Sequence, residues 1–200
     1  MNADPTNVQA SMSYVISLRW SGDLLRKMGN TAQALAEYRT VLGILGQLSA
    51  RKQANITVSG RYAEMLIVTS GLMAQHGDTA EARRMTTHGL ALTRELANRS
   101  DVTPDDLSQY ALTFLTCEPA DLRDAATALR YAQASVAKTG ETDSINLDIL
   151  AQAYFQTGDR ARAIAAEEKA MSLLAPAEAN RPAPPLRQKL EANLATFKMR

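Results

Sequence analysis

Three stretches of the sequence place a glycine at the same point of a similar phrase: LLRKMGNTAQALAEYRTVL, LMAQHGDTAEARRMTTHGL and AYFQTGDRARAIAAEEKA. A small polar residue follows each glycine (Gly29, Gly77 and Gly158), and an alanine lies five positions after it. Glycine just beyond a helix adopts a left-handed conformation at little cost, and the Asn or Asp that follows can cap the next helix. The alanine lets two antiparallel helices approach closely. The phrase therefore predicts a helical hairpin, written at least three times.

The composition also favours helices. Hydrophobic residues make up 46% of the 200 residues, but aromatic residues make up only 5%. Runs of β-branched and aromatic residues bounded by turn residues, which are typical of strands, are nearly absent. Alanine, leucine, glutamate, arginine and glutamine are good helix formers. The length is sufficient for one domain with a sizeable core or for a short solenoid.

Charge and hydropathy exclude several classes of partner. The formal net charge is +1 and both signs are interspersed, which argues against binding to nucleic acid or to an anionic membrane surface. No apolar run is long enough to span a bilayer, and the polar start MNADPTNVQAS is unlike a signal peptide. The single cysteine, Cys117, excludes an intrachain disulfide. We therefore expect a cytoplasmic protein that does not insert into membranes.

Helix pairs that recur every few tens of residues are typical of a solenoid. Gly29 and Gly77 are 48 positions apart, which we interpret as two lengthened helices that meet near SARKQAN. Gly77 and Gly158 are 81 positions apart, which leaves room for a further pair. In that pair Thr103 is the predicted cap of a helix that starts at Pro104, and CEPADLRD replaces the glycine turn.

The repeated phrase resembles the tetratricopeptide repeat. In the last phrase the family's pattern positions are filled by Leu147, Leu150, Ala151, Tyr154, Gly158, Ala163, Glu167 and Ala170. The first and second phrases match the pattern less fully. The resemblance implies an all-α, right-handed superhelical solenoid of about four antiparallel helix pairs plus a C-terminal capping helix. We expect one domain over 1–200, with pairs at about 12–50, 52–98, 104–139 and 142–175, and the cap at 184–199 after a proline-rich connector.

A more specific resemblance covers residues 115–174, which are similar to the C-terminal tetratricopeptide region of bacterial serine/threonine protein kinases. Nothing in the sequence resembles the kinase domain, since the Gly-rich loop, the His-Arg-Asp stretch and the Asp-Phe-Gly motif are all missing. The resemblance implies a regulatory or docking module of a bacterial signalling kinase.

By the family resemblance, partners bind a concave groove lined by the first helix of each pair. The groove positions carried over from the family pattern are Ile16, Arg19, Asp23, Arg26, Lys27, Glu64, Ile67, Gln75, Ile145, Asp148, Gln152 and Phe155. Arg19 and Arg26 lie two helical turns apart on one face. With Lys27 they suit an acidic segment or a terminal carboxylate of a partner. A solvated charged face is the alternative interpretation.

The remaining candidate residues have simpler structural interpretations. His76 and His88 have no cysteine or carboxylate at metal-ligand spacing. Cys117 has no evident base and is interpreted as a small packing residue. Trp20, the sole tryptophan, is expected in the core or between helices. We therefore expect no catalytic residues, no metal and no cofactor.

The sequence thus predicts a non-enzymatic scaffold that binds a peptide or helix of a partner protein in its groove. The partner's apolar anchors would be buried against the isoleucines of the groove and Phe155, while the arginines and Asp148 orient it. The alternative is a self-association module, for which a symmetric dimer is the commonest outcome. The sequence does not name the partner.

Overall fold

A computed structural model describes residues 8–51, 55–174 and 185–199. Within these residues the backbone forms nine α-helices, one short 3₁₀ turn and no strand. The helices are α1 (Val8–Lys27), α2 (Thr31–Ser49), α3 (Ile56–Gln75), α4 (Thr79–Ala97), α5 (Pro104–Thr116), α6 (Ala125–Thr139), α7 (Ser144–Gln156), α8 (Arg160–Ser172) and α9 (Pro185–Met199). Consecutive helices pack as the pairs α1–α2, α3–α4, α5–α6 and α7–α8, which confirms the predicted all-α repeat fold.

The chain divides into two compact units. The first unit holds α1 to α4 together with residues 117–122, and the second holds α5 to α9 without that loop. In the second unit α9 packs against both α8 and α7, as expected of a capping helix. The predicted proline-rich connector at 175–184 and residues 52–54 of the predicted junction lie outside the described residues.

The helices of the first unit are longer than those of the second. The helices α2 and α3 contain 19 and 20 residues, whereas α7 and α8 contain 13 residues each. The difference corresponds to roughly two helical turns. This confirms the interpretation of the 48-residue spacing between the first two turn glycines as a lengthening of the helices on either side of the junction.

The three predicted turn glycines all have left-handed backbone conformations. Gly29, Gly77 and Gly158 have φ angles of 79°, 95° and 86°. After each glycine the chain closes the helix end with a main-chain hydrogen bond, as in the 2.9 Å bond from the N–H of Asn30 to the carbonyl of Leu25. Such a bond satisfies a carbonyl that the helix end would leave without a partner.

The predicted side-chain caps are only partly formed. Asp78 accepts a hydrogen bond from the N–H of Glu81 at 3.4 Å, and Asp159 accepts one from the N–H of Arg162 at 3.0 Å. The side chain of Asn30 makes no capping hydrogen bond, so the cap expected there is wrong. At that turn the left-handed glycine alone ends one helix and starts the next.

The third pair has the predicted capping box. The Thr103 hydroxyl oxygen accepts from the N–H of Asp106 at 3.1 Å, and the Asp106 carboxylate accepts from the N–H of Thr103 at 3.0 Å. The loop after α5 contains a 3₁₀ turn at Ala120–Leu122. Within the first unit this loop is tied to α4 by the ion pair between Arg83 and Asp121, 2.7 Å long.

Small residues allow the paired helices of the first unit to approach closely. A methyl group added to Gly22 of α1 would lie 2.5 Å from the nearest ring carbon of Tyr38 on α2. A methyl group added to Gly89 of α4 would lie 2.8 Å from the terminal methyl of Ile67 on α3. Both distances are shorter than van der Waals contact, so these glycines fix how closely each pair packs.

Replacing Gly22 by alanine should destabilise the protein, with Gly43→Ala as the matched control. Alanine is the better helix former by about 1 kcal/mol, and nothing lies within 4 Å of a methyl group added to Gly43, so Gly43→Ala should raise the free energy of unfolding. At Gly22 the clash with Tyr38 should outweigh that gain by about 1–3 kcal/mol. Urea unfolding followed by circular dichroism measures both changes, and equal stabilisation by the two variants would contradict the close α1–α2 contact.

Candidate functional site

Large apolar side chains form an exposed stripe along α1. The stripe consists of Ile16, Trp20 and Leu24 of α1 and of Met28 directly after it, and we call these four residues the α1 stripe. Their spacing of four residues brings them onto one side of the helix. Trp20, Leu24 and Met28 are 75%, 60% and 64% exposed. A series of exposed apolar side chains of this size marks an interaction surface.

The expectation that Trp20 packs in the core or between helices is wrong. Gly22, two positions away, is buried against α2. Two positions correspond to about 200° around a helix of 3.6 residues per turn, so the Trp20 side chain leaves the opposite side of α1. There it lines a surface pocket of about 460 Å³ together with Ser21, Asp23, Leu24 and Lys27.

Arg19, a predicted groove residue, is bonded within the first unit. Its guanidinium donates two hydrogen bonds to the carboxylate of Glu64 on α3, at 2.6 Å and 3.0 Å, and lies 3.9 Å from Asp23. Burial alone would lower the pKa of Arg19, but the hydrogen bond and the charge of Glu64 outweigh burial and raise it. Arg19 and Glu64 therefore join α1 to α3. The positive charge of Arg19 is balanced by the carboxylate of Glu64 within the unit.

Asp23 is also held by a neighbouring helix. The hydroxyl of Tyr38 on α2 donates a hydrogen bond of 2.5 Å to its carboxylate. Burial, followed by this hydrogen bond, raises the pKa of Tyr38 to about 12. The contact fixes the carboxylate at one edge of the α1 stripe, and the exposed Lys27 is the cation that lines the adjoining pocket.

The other predicted groove residues of the first unit divide into two groups. Arg26 and Lys27 are exposed in the last turn of α1, and Gln75 is exposed at the end of α3. Ile67 instead lies against Gly89 of α4. The accessible positive charge of this unit's predicted groove therefore lies at the end of α1, next to the stripe.

In the second unit α9 contacts two of the predicted groove residues, Asp148 and Phe155. Asp148 is fully buried, and its carboxylate accepts hydrogen bonds from the ammonium of Lys189 at 2.7 Å and from the amide of Asn193 at 2.7 Å, both on α9. Gln152 donates a third, at 3.0 Å. Asp148 therefore orients a helix of its own chain. The family pattern places Asp148 in an open groove, whereas in this chain the predicted capping helix binds it.

Aromatic packing completes the contact with α9. The rings of Phe155 on α7 and Phe197 on α9 have centroids 4.6 Å apart, and Phe197 is buried. Ile145, at the start of α7, is 53% exposed. Of the predicted groove residues in this unit, Ile145 is thus the one with a largely exposed side chain.

Beneath α9 lies a second acid, Glu167 of α8. Its side chain is fully buried, and neither carboxyl oxygen has a hydrogen-bond partner among the described residues. Burial and the nearby charge of Asp148 raise the pKa of Glu167 to about 8, although Asn193 and Lys189 act in the opposite direction. Glu167 is therefore mainly a neutral carboxylic acid at pH 7.

The other candidate residues are held in packing contacts. The His88 ring meets the Tyr62 ring edge-on, with centroids 5.9 Å apart, and Cys117 is buried. In the parts of the chain that the structure describes, no three histidine, cysteine or acidic side chains are grouped to hold a metal ion. Among the helices of those same parts, none has the length and hydropathy needed to cross a membrane.

Sequence reasoning missed both the α1 stripe and the residues of α9 that bind Asp148. The stripe had a readable signal, since Trp20, Leu24 and Met28 follow one another at four-residue spacing. Trp20 was instead expected in the core or between helices on general burial preferences. Lys189 and Asn193 had no comparable signal, because their partner lies more than forty positions earlier in the chain.

Comparison with known proteins identifies a fold. No protein-family model matches the sequence, and no curated protein matches it either. Among solved structures, BtubC (BKLC) from P. vanneervenii is similar, with a TM-score of 0.60 and 17% identity over 96% of this chain and 74% of BtubC. The likeness to BtubC shows a shared tetratricopeptide-like helical-repeat fold.

Two further solved structures show weaker likeness. MamA has a TM-score of 0.43 and 14% identity, over 80% of this chain and 73% of MamA. The assembly chaperone of RpL4, Acl4, has a TM-score of 0.45 and 14% identity, over 96% of this chain and 76% of that one.

The buried Glu167 should make stability depend on pH. An unfolded glutamate ionises near pH 4.5, whereas native Glu167 keeps its proton up to about pH 8. The folded state therefore binds more protons between these values, and stability falls as pH rises through this window, by about 1.4 kcal/mol per unit of pKa difference. Glu167→Gln should remove most of this slope in melting temperature between pH 5 and pH 8.5.

Glu168→Gln is the matched control for that measurement. Glu168 is the next residue, and its exposed side chain pairs with Lys198 at 2.8 Å. Its substitution should leave the slope in place, because exposed ion pairs contribute little to stability. An equal slope in the Glu167→Gln variant and the wild type would contradict the buried neutral carboxyl.

Proposed function

We propose that this chain is a protein-interaction scaffold that binds a peptide or helix of a partner protein on the outer surface of its first helices. The observation that carries the proposal is the α1 stripe. Tryptophan is among the residues that contribute most to protein interfaces. Burial of apolar surface is favourable by about 25 cal/mol per Å², so covering Trp20, Leu24 and Met28 would drive association.

The stripe suits an amphipathic helix as its occupant. A helical ligand offers apolar anchors three or four residues apart, which matches the four-residue spacing of the stripe. One such anchor would enter the pocket between Trp20 and Lys27. Lys27 and Arg26 would then attract an acidic residue beside that anchor, a role for which Arg19 is less suited because it is bonded to Glu64.

Of the groove expected from the family resemblance, we propose that Ile16 and Ile145 are the apolar contacts left open to a partner. The similarity of residues 115–174 to a region of bacterial serine/threonine kinases supports a docking role in bacterial signalling. We further propose that the chain acts without catalysis and in the cytoplasm. The placement of His88 and Cys117 in packing contacts supports the first of these two statements.

Self-association is the second candidate function, and the same stripe favours it. An apolar helix face can pair with its own copy, and two-fold symmetric pairing is the commonest arrangement of identical subunits. In such a dimer Trp20 and Leu24 of one protomer would be covered by the same residues of its partner.

The test is a capture experiment with Trp20→Glu/Leu24→Glu beside the wild type. Met199→Glu is the control, because Met199 is a large apolar residue of α9 that is 80% exposed. A partner protein retained by the wild type and the control, and lost by the double variant, is the expected result. Equal retention by all three chains would rule out the α1 stripe as the binding surface.

Light scattering after gel filtration of the same three chains separates the two candidates. A wild type that is monomeric at all concentrations supports a foreign partner. A dimer that dissociates in the Trp20→Glu/Leu24→Glu variant and persists in the Met199→Glu control supports self-association instead.

A further inference from the structure

The helix α9 contacts the surface of α7 and α8 through a few buried apolar side chains and through polar bonds to the buried Asp148. We call this the α7–α8 surface. Of the residues of α9, only Leu190 and Phe197 are buried. Leu186 and Leu194 are partly buried. The polar contacts of α9 include those from Lys189 and Asn193 to the fully buried Asp148. A buried charge pair is weak evidence for stability, since well-packed apolar residues often do as well. Buried polar contacts of this kind select which helix docks and in which register.

The polar site is incomplete when α9 occupies it. Two acids, Asp148 and Glu167, lie beneath α9, but Lys189 is the one cation of α9 bonded to them. Glu167 is fully buried, and neither of its carboxyl oxygens has a hydrogen-bond partner among the residues that the structure describes. A buried polar group without a partner is costly, so one more hydrogen-bond donor at this site would be favourable.

We propose that the α7–α8 surface is a docking site for an amphipathic helix of a partner protein that carries two basic residues one turn apart, and that α9 is the resident occupant which such a helix displaces. The proposal concerns the second unit alone. Its test is therefore independent of the test of the α1 stripe.

The two basic residues correspond to positions 189 and 193. Lys189 is already a cation and pairs with Asp148. Asn193 bonds Asp148 at 2.7 Å, and its proximity to Glu167 lowers the pKa of that carboxyl. A lysine or arginine in place of Asn193 would thus lie beside Glu167 and lower its pKa. Once Glu167 is ionised, two acids with one cation would become two ion pairs. The apolar anchors would be a leucine beside the first cation and an aromatic ring against Phe155.

The outer contacts of α9 permit displacement. Lys198 pairs with the exposed Glu168 at 2.8 Å, and Arg160 donates a hydrogen bond to the main-chain carbonyl of Lys198. Exposed contacts of this kind contribute little, and they weaken further in salt. The buried and partly buried apolar side chains of α9 and its bonds to Asp148 are therefore the main attachments that a competing helix has to replace.

The direct test uses two labelled peptides, PLRQKLEANLATFKM and the same sequence with Asn193→Lys, in fluorescence anisotropy titrations with the full chain at pH 8.5, where Glu167 is ionised. A peptide with Lys189→Glu is the control. We expect the doubly basic peptide to bind at least tenfold more tightly than the peptide of natural sequence, and the control not to bind. Full chain with Phe197→Ala, in which α9 is weakened, should bind the doubly basic peptide more tightly than the wild type does.

Glu167→Gln in the full chain is the matched specificity control. It should remove the preference between the two peptides, because the second cation then meets a neutral amide. Equal affinity of both peptides for the wild-type chain would overturn the proposal. The proposal would also be overturned if the doubly basic peptide showed no saturable binding to either the wild-type chain or the Phe197→Ala chain.

A measurement within the chain keeps the proposal testable if the Phe197→Ala variant unfolds. Asn193→Lys in the full chain should raise the melting temperature at pH 8.5, where Glu167 is ionised, by more than it does at pH 6. Asn193→Leu, which cannot pair with Glu167, should show no such difference. A melting temperature that Asn193→Lys lowers at both pH values would contradict the second cation position.

Discussion

The close approach of the two helices in each pair is the constraint on which the other features depend. In the first unit, Gly22 lies against the Tyr38 ring and Gly89 against Ile67, with no space for a methyl group at either position. Ala34, Ala82 and Ala163, five residues after their turn glycines, are fully buried. Because these small residues fix each pair, the remaining faces of the first helices are fixed as well, and those faces contain the candidate binding residues.

The helices α1 and α7, each the first of its pair, use these faces differently. On α1 the face is open, apolar and bordered by residues already bonded within the unit, since Asp23 is held by Tyr38 and Arg19 by Glu64. On α7 the corresponding residues are covered, since Asp148 and Phe155 are in contact with α9. On the open apolar surface of α1, binding would be favoured by burial of apolar area. On the covered surface of α7, the buried acid would determine which helix binds.

The sequence predicted those features that depend on neighbouring residues. The left-handed glycines, the capping box at Thr103 and the longer helices of the first unit all follow from local chemistry and spacing, so they could be read from the chain. The position of Trp20 could not, because α1 has apolar residues on two sides and the pattern alone does not say which side is buried. The contact of Asp148 with Lys189 could not either, since it joins helices far apart in sequence.

The role of Glu167 illustrates the same limit. In the repeat pattern it occupies a position where the family resemblance places a large side chain, and nothing local distinguishes it from a solvated glutamate. Its buried state depends on α9 lying above it, and its raised pKa depends on burial and on Asp148. The charge state of a side chain is therefore the property that sequence reasoning is least able to predict here.

The measurement that tests most directly whether α1 offers an open binding face is acrylamide quenching of tryptophan fluorescence at a series of protein concentrations. Trp20 is the sole tryptophan, so the signal reports on the α1 stripe alone. If the stripe is open in the free protein, quenching at low concentration will approach that of a short unstructured tryptophan peptide. Strong protection of Trp20 from acrylamide at every concentration, in a chain that sediments as a monomer, would contradict an open α1 stripe.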